Sequence, residues 1–126
     1  MDWYKSWILK AREHRASADI LFSQGKLRDA ISRYYYSAFS IMVAVCGQAP
    51  KGRWEHKGIL KYFFKWCKEN GINLPKEDRE LLSVFYDKRR TADYTTEVIL
   101  LEEVKAYTKL VERLFEVVDG WRKNNT

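Results

Sequence analysis

Apolar residues recur along this chain at spacings of three and four, the period of one helical face, and nowhere in the two-residue alternation of a half-buried strand. The first segment runs from about Trp3 to Ser23, with Trp3, Trp7, Ala11, His14, Ala18 and Leu21 on one face, and Gly25 just beyond predicts its C-terminal cap. The second, from about Leu27 to Cys46, is apolar nearly all round (Ile31, Tyr34, Tyr35, Ala38, Phe39, Ile41, Met42, Val45), as expected of a helix at the centre of a bundle. A third runs from about Trp54 to Lys68 with Ile59, Leu60, Phe63, Phe64 and Cys67 inward. A fourth runs from about Lys76 to Arg90 with Leu81, Leu82, Phe85 and Tyr86 inward. The only prolines, Pro50 and Pro75, fall between segments and punctuate them. Thr91 to Thr96 reads as a short break. Glu97 to Arg122 then forms a fifth helix, in which Leu100, Val104, Tyr107, Val111, Leu114, Val118 and Trp121 make a heptad seam.

These elements predict an all-α fold, a single domain over residues 1–126 built as a four- or five-helix up-and-down bundle. The absence of strands and of a glycine-rich phosphate loop excludes a parallel-sheet nucleotide fold. With 46% hydrophobic and 32% charged residues the chain has enough apolar surface to fold rather than stay disordered. No apolar run is long enough to span a bilayer and the first residues have no signal-peptide pattern, so the expectation is a cytoplasmic protein that does not enter a membrane. Cys46 and Cys67 lack Cys-x-x-Cys spacing and sit inside apolar helical runs, which reads as buried free thiols. No metal or cofactor is expected. The apolar surplus of helix two and the long seam of helix five predict a homodimer.

Charge narrows the picture. The net charge is +6, which favours anionic partners such as RNA, nucleotides or an acidic protein surface. Lys57, Lys61, Lys65 and Lys68 line one face of helix three, and residues 51–68 hold six basic residues against Glu55, a local net of +5. Like charges at this spacing repel one another unless an anion meets them, although a solvated face would serve solubility instead. Arg89 stands on the apolar side of helix four, four residues after Phe85 and three after Tyr86. Its charge must be paired or open into a cleft, and Asp93, four residues on, is the predicted partner. A structural salt bridge at the helix end would satisfy the same pattern. His14 and His56 have no second histidine or paired carboxylate at ligand spacing. His14 reads as a structural histidine.

Three patches in order carry a family resemblance. Arg33-Tyr34-Tyr35-Tyr36-Ser37-Ala38-Phe39, Trp54-Glu55-His56-Lys57-Gly58-Ile59 and Arg89-Arg90-Thr91-Ala92-Asp93-Tyr94 resemble the Tyr-Tyr-Ala, His-x-Gly and Arg-x-x-Ala-Asp-Tyr signatures of HEPN domains. The resemblance implies a helical bundle, a homodimer and, in many members, a metal-independent ribonuclease with an Arg-x4–6-His motif at the dimer cleft. Here Arg89 takes the arginine position, and Tyr94, Thr95 and Thr96 stand where the histidine would be. Tyrosine, with an ordinary pKa near 10, is a poor base at neutral pH. The resemblance therefore implies a nucleotide-, RNA- or partner-binding component of a toxin–antitoxin-like pair with a minimal nucleotidyltransferase. It would work through Arg89, Asp93 and Tyr94, with Arg90, His56 and the lysine stripe binding the ligand. Tyr94, expected in an exposed loop, could accept a nucleotidyl group from that partner. The alternatives are a ribonuclease toxin with a degenerate motif, in which His56 could act as base only if helix three lies beside the end of helix four, and a helical interaction adaptor.

Overall fold

A computed structural model describes residues 2–125 and consists of five α-helices, with no strand among the described residues. They are α1 (Trp3–Ser23), α2 (Leu27–Cys46), α3 (His56–Glu69), α4 (Lys76–Tyr94) and α5 (Leu101–Asn124). The first turn of α1 is capped by the Asp2 carboxylate, which accepts from the Lys5 amide at 2.7 Å. Its end closes as the glycine predicts. Gly25 takes a left-handed φ of 74°, and the Gly25 and Lys26 amides fold back onto the carbonyls of Phe22 (3.0 Å) and Leu21 (2.9 Å).

Helix α2 is the centre, with α1, α3, α4 and α5 all packed on it. Its closest neighbour is α1, running antiparallel, and the approach is allowed by Ala11, Ala18, Ala30 and Ala38, none of which is exposed at all. Ser37, equally buried, donates to the Ala11 carbonyl at 2.8 Å, so this polar group costs nothing in the interior. Helices α4 and α5 also run antiparallel. Phe85 stacks on Tyr107 at 4.0 Å, Lys88 pairs with Glu103, and Arg113 grips the buried carboxylate of Asp78 with Nε at 2.7 Å and with its terminal amino group. Cys46 and Cys67 are free, and burial pushes their thiols up to about 12 and about 11, where they stay protonated and inert. No helix is long and apolar enough to cross a membrane.

Three expectations are corrected. The break does not begin at Thr91: α4 continues to Tyr94, and the connection is 95–100. Thr91, Asp93 and Tyr94 are weak helix formers, but tertiary contacts override the propensity. Ala92 is buried, and Arg28 at the start of α2 donates to the carbonyls of Ala92 (3.1 Å), Thr95 (2.9 Å) and Glu97. A guanidinium there satisfies the orphan carbonyls of the helix end and opposes its negative dipole. The fifth helix starts at Leu101 rather than Glu97, leaving Leu100 outside the seam and exposed. The apolar surfaces of α2 and α5 that predicted a surplus are largely taken up by the chain's own core, from Ile31 to Ala44 and from Val104 to Val118.

Candidate functional site: a tyrosine-walled arginine cleft

The one-turn extension of α4 decides the site. It puts Arg89 and Asp93 on the same helix at i and i+4, where Arg89 Nε donates to Asp93 Oδ2 at 3.1 Å. Ser32 on α2 donates to the same oxygen at 3.3 Å. The bond to Asp93 uses Nε alone and Tyr94 takes a further hydrogen bond from the guanidinium, whose remaining N–H groups stay available to another acceptor. The Arg89 side chain is only 11% exposed, and its guanidinium lies against four tyrosine rings: Tyr36 at 5.3 Å, Tyr35 and Tyr86 at 5.6 Å, and Tyr94 at 5.9 Å. Ring faces attract the cation without neutralising it. The result is an arginine fixed in place and still charged.

Arg89 forms one wall of a cleft of about 450 Å³. Tyr35, Tyr36 and Phe39 of α2 make the floor, Tyr86 stands beside Arg89 on α4, and Glu55, His56 and Lys57 close the far side at the start of α3. Helix three therefore does lie beside the end of helix four. His56 stacks on Tyr86 at 4.1 Å, and its Nδ1 shares a 3.0 Å hydrogen bond with the Tyr35 hydroxyl. Burial lowers the His56 pKa below its ordinary 6.5; Asp87 opposes the shift, and the smaller effects of Lys57 and Arg89 add to it, so the neutral ring is favoured at pH 7. Burial raises the Tyr35 hydroxyl well above the ordinary tyrosine range, so it stays protonated.

The sequence candidates separate accordingly. Arg89, Asp93, His56 and Lys57 come together at the cleft. Arg90 sits just outside, donating to the Tyr86 hydroxyl at 3.2 Å, with its guanidinium 5.5 Å from the Tyr94 ring. Tyr94 is not in a loop but is the last residue of α4, 70% exposed. Lys61, Lys65 and Lys68 are exposed as expected but run away from the cleft along α3. Lys65 pairs with Glu69 at 3.8 Å, and Lys68 borders a separate cavity with Ile72 and Arg79. His14 is half-buried against Tyr36 at 5.8 Å, with its pKa lowered chiefly by burial, and Cys67 and Cys46 lie elsewhere. Sequence reasoning did not assign Tyr35, Tyr36, Tyr86 or Ser32 to the site. The run Tyr34-Tyr35-Tyr36 was the available signal, since consecutive helical positions cannot all face one core. No group of three or more side chains suited to hold a metal is present among the described residues.

Known proteins of the same kind give this geometry a context. The chain is 29% identical over 76% of its length to "Putative toxin MJ0605" of Methanocaldococcus jannaschii, covering 71% of that protein. It is 30% identical over 79% of its length to "Putative toxin MJ0142" of the same organism, covering 67% of it. It is 27% identical over 90% of its length to a UPF0332 protein of Thermotoga maritima, covering 86% of it. The HEPN domain family matches residues 4–121, which take in nearly all of the helical bundle and every residue of the cleft, and the chain belongs to that family.

Proposed function

We propose that this HEPN protein is the RNA- or nucleotide-binding component of a toxin–antitoxin-like pair, and that the Arg89 cleft is where it meets the phosphate. One observation carries the reading: an arginine whose side chain is 11% exposed, paired with Asp93 through Nε only and packed among tyrosine rings, on the wall of a cleft that Glu55, His56 and Lys57 also line. Such a group supplies charge-assisted hydrogen bonds to a phosphate, and the flanking tyrosines offer faces on which a base stacks. The toxin names of two relatives support the toxin-like role. The protein works in the cytoplasm, where RNA is available and free thiols persist. A minimal nucleotidyltransferase is its proposed partner, with the hydroxyl of the exposed Tyr94 taking a nucleotidyl group from a nucleoside triphosphate as pyrophosphate leaves, which mass spectrometry after co-expression tests. It acts as a homodimer. With α2 and α5 largely occupied, support for that falls to the exposed Tyr94, Val98, Leu100 and Leu101 around the α4–α5 connection. Light scattering at tens of micromolar should give twice the chain mass, and a monomer there would remove the dimer.

The test of the reading is anisotropy with a labelled single-stranded RNA at low salt. Arg89→Ala should weaken binding about ten- to hundredfold, as expected for a charge-assisted contact, while stability falls by only about 1 kcal/mol. No binding by the parent protein, or full binding by Arg89→Ala, would sink it. A second reading, a metal-independent ribonuclease, is favoured by one specific feature: a neutral histidine lines the same cleft as Arg89. In the tautomer that donates Nδ1–H to Tyr35, Nε2 of His56 can take the 2′-hydroxyl proton as that oxygen attacks the phosphorus and the 5′-oxygen leaves, with Arg89 meeting the developing charge. Cleavage in chelator that is lost in both Arg89→Ala and His56→Ala would promote this reading over simple binding.

A further inference from the structure

A second cavity adjoins the cleft on the far side of Phe39. It measures about 520 Å³ and is walled by Trp3, Trp7, Phe39, Val43, Arg53 and Trp54. Both outer indoles have their N–H groups committed to backbone: Trp3 Nε1 donates to the Val43 carbonyl at 2.8 Å and Trp54 Nε1 to the Gly47 carbonyl at 2.7 Å. Trp7 is fixed 5.9 Å from Trp3, and Tyr62 braces Trp54 edge-on at 5.1 Å. What the cavity offers an occupant is therefore mainly flat, pre-positioned ring surface, with the Gln48 amide as its neutral hydrogen-bonding side chain. Among the described residues, Arg53 is the only charged one on its walls. Phe39 belongs to both the Trp cavity and the Arg89 cleft, and a third cavity of about 440 Å³ shares Arg53 and Trp54 with the first and Glu55 with the second. The two sites together span α2 from Tyr35 to Val43, about 12 Å at the helical rise per residue.

Resting on the reading of the Arg89 cleft above, we propose that the Trp3–Trp7–Trp54 cavity is a second subsite that stacks a flanking base of the same single-stranded RNA, with Arg53 on the intervening phosphate. The chemistry selects this occupant. Fixed aromatic faces beside Arg53, with Lys10 over the Trp7 ring, next to a second aromatic cleft in which Arg89 and Lys57 outnumber Glu55, match an alternation of flat bases and phosphates. An apolar peptide would leave Arg53 without a partner, and the basic 51–68 segment opposes any second basic surface.

The experiment compares labelled oligouridylates of two and eight nucleotides against the full chain at low salt. The parent should bind the octamer more tightly than the dinucleotide. Trp54→Leu should lose about tenfold on the octamer and leave the dinucleotide unchanged, whereas Trp54→Phe, which also lacks the Gly47 hydrogen bond but keeps a ring, should retain octamer binding within about threefold. Arg53→Glu, an exposed change that spares the fold, should reproduce the octamer loss if Trp54→Leu lowers the unfolding midpoint. Arg89→Ala should weaken both ligands. A fully paired octamer should gain nothing from the Trp cavity. Unchanged octamer binding in Trp54→Leu and Arg53→Glu overturns the second subsite and leaves the Arg89 reading standing. Failure of the parent to bind either oligonucleotide overturns both. Loss of a dimer in Trp54→Leu with octamer binding intact would mean that a second copy fills the cavity, which also overturns the proposal.

Discussion

At the residue scale, the site is built from groups whose charge state is set by their neighbours. Burial, helped by Lys57 and Arg89 and opposed by Asp87, favours neutral His56, so its pKa in the folded chain lies below 6.5. Two pH effects follow with definite sign. Without ligand, the unfolded chain takes up this proton first, so His56 subtracts stability as the pH falls below 6.5. With a phosphate in the cleft, the protonated form gains a partner, so RNA affinity should rise as the pH falls from about 7.5 to about 5.5. His56→Gln should flatten that rise, and a parent affinity independent of pH would contradict it. Away from the cleft, Asp78 is the one fully buried acid among the described residues, 1% exposed, and Arg113 is its ion-pair partner. Arg113→Ala leaves that carboxylate in the core without its cation. Because Arg113 is itself 41% exposed, the expected loss is about 2 kcal/mol rather than the larger cost of a fully sequestered pair, measured by denaturant unfolding.

At the element scale, the lysine stripe of α3 divides. Lys57 belongs to the cleft, and Lys61, Lys65 and Lys68 lie progressively further along the helix. Lys57→Glu should weaken RNA binding about tenfold or more, whereas Lys61→Glu and Lys65→Glu should mainly flatten its salt dependence, with unfolding midpoints unmoved in all three. Equal effects from all three changes would mean that the stripe works as one surface. Helices α1 and α2 were legible in the sequence because their apolar faces repeat without interruption between a glycine stop and a glycine-rich loop. The end of α4 was not, because what extends it is Arg28, which lies 64 residues from the carbonyl it caps. The Arg89–Asp93 pair could be read from a spacing of four. The approach of His56 to Tyr86 could not, since their 30-residue separation is closed only by the way α3 and α4 settle on α2.

At the scale of the whole molecule, the bundle is a hub with spokes. Both α3 and α4 pack on α2 far more extensively than on each other. The stacked rings of His56 and Tyr86 are a bridge between them at the mouth of the cleft. The chain thus places Arg89 and Lys57 on two helices and makes a third helix their common support. A ligand that touches Arg89 and Lys57 together ties α4 to α3 where the fold itself ties them lightly. Local opening of α3 away from α2 then becomes a motion that an empty protein permits and an occupied one resists. Amide protons at the start of α3 should exchange more slowly in the complex, although the ligand touches few of them. Occupancy of the cleft would be felt first as a change in the rhythm with which one helix breathes.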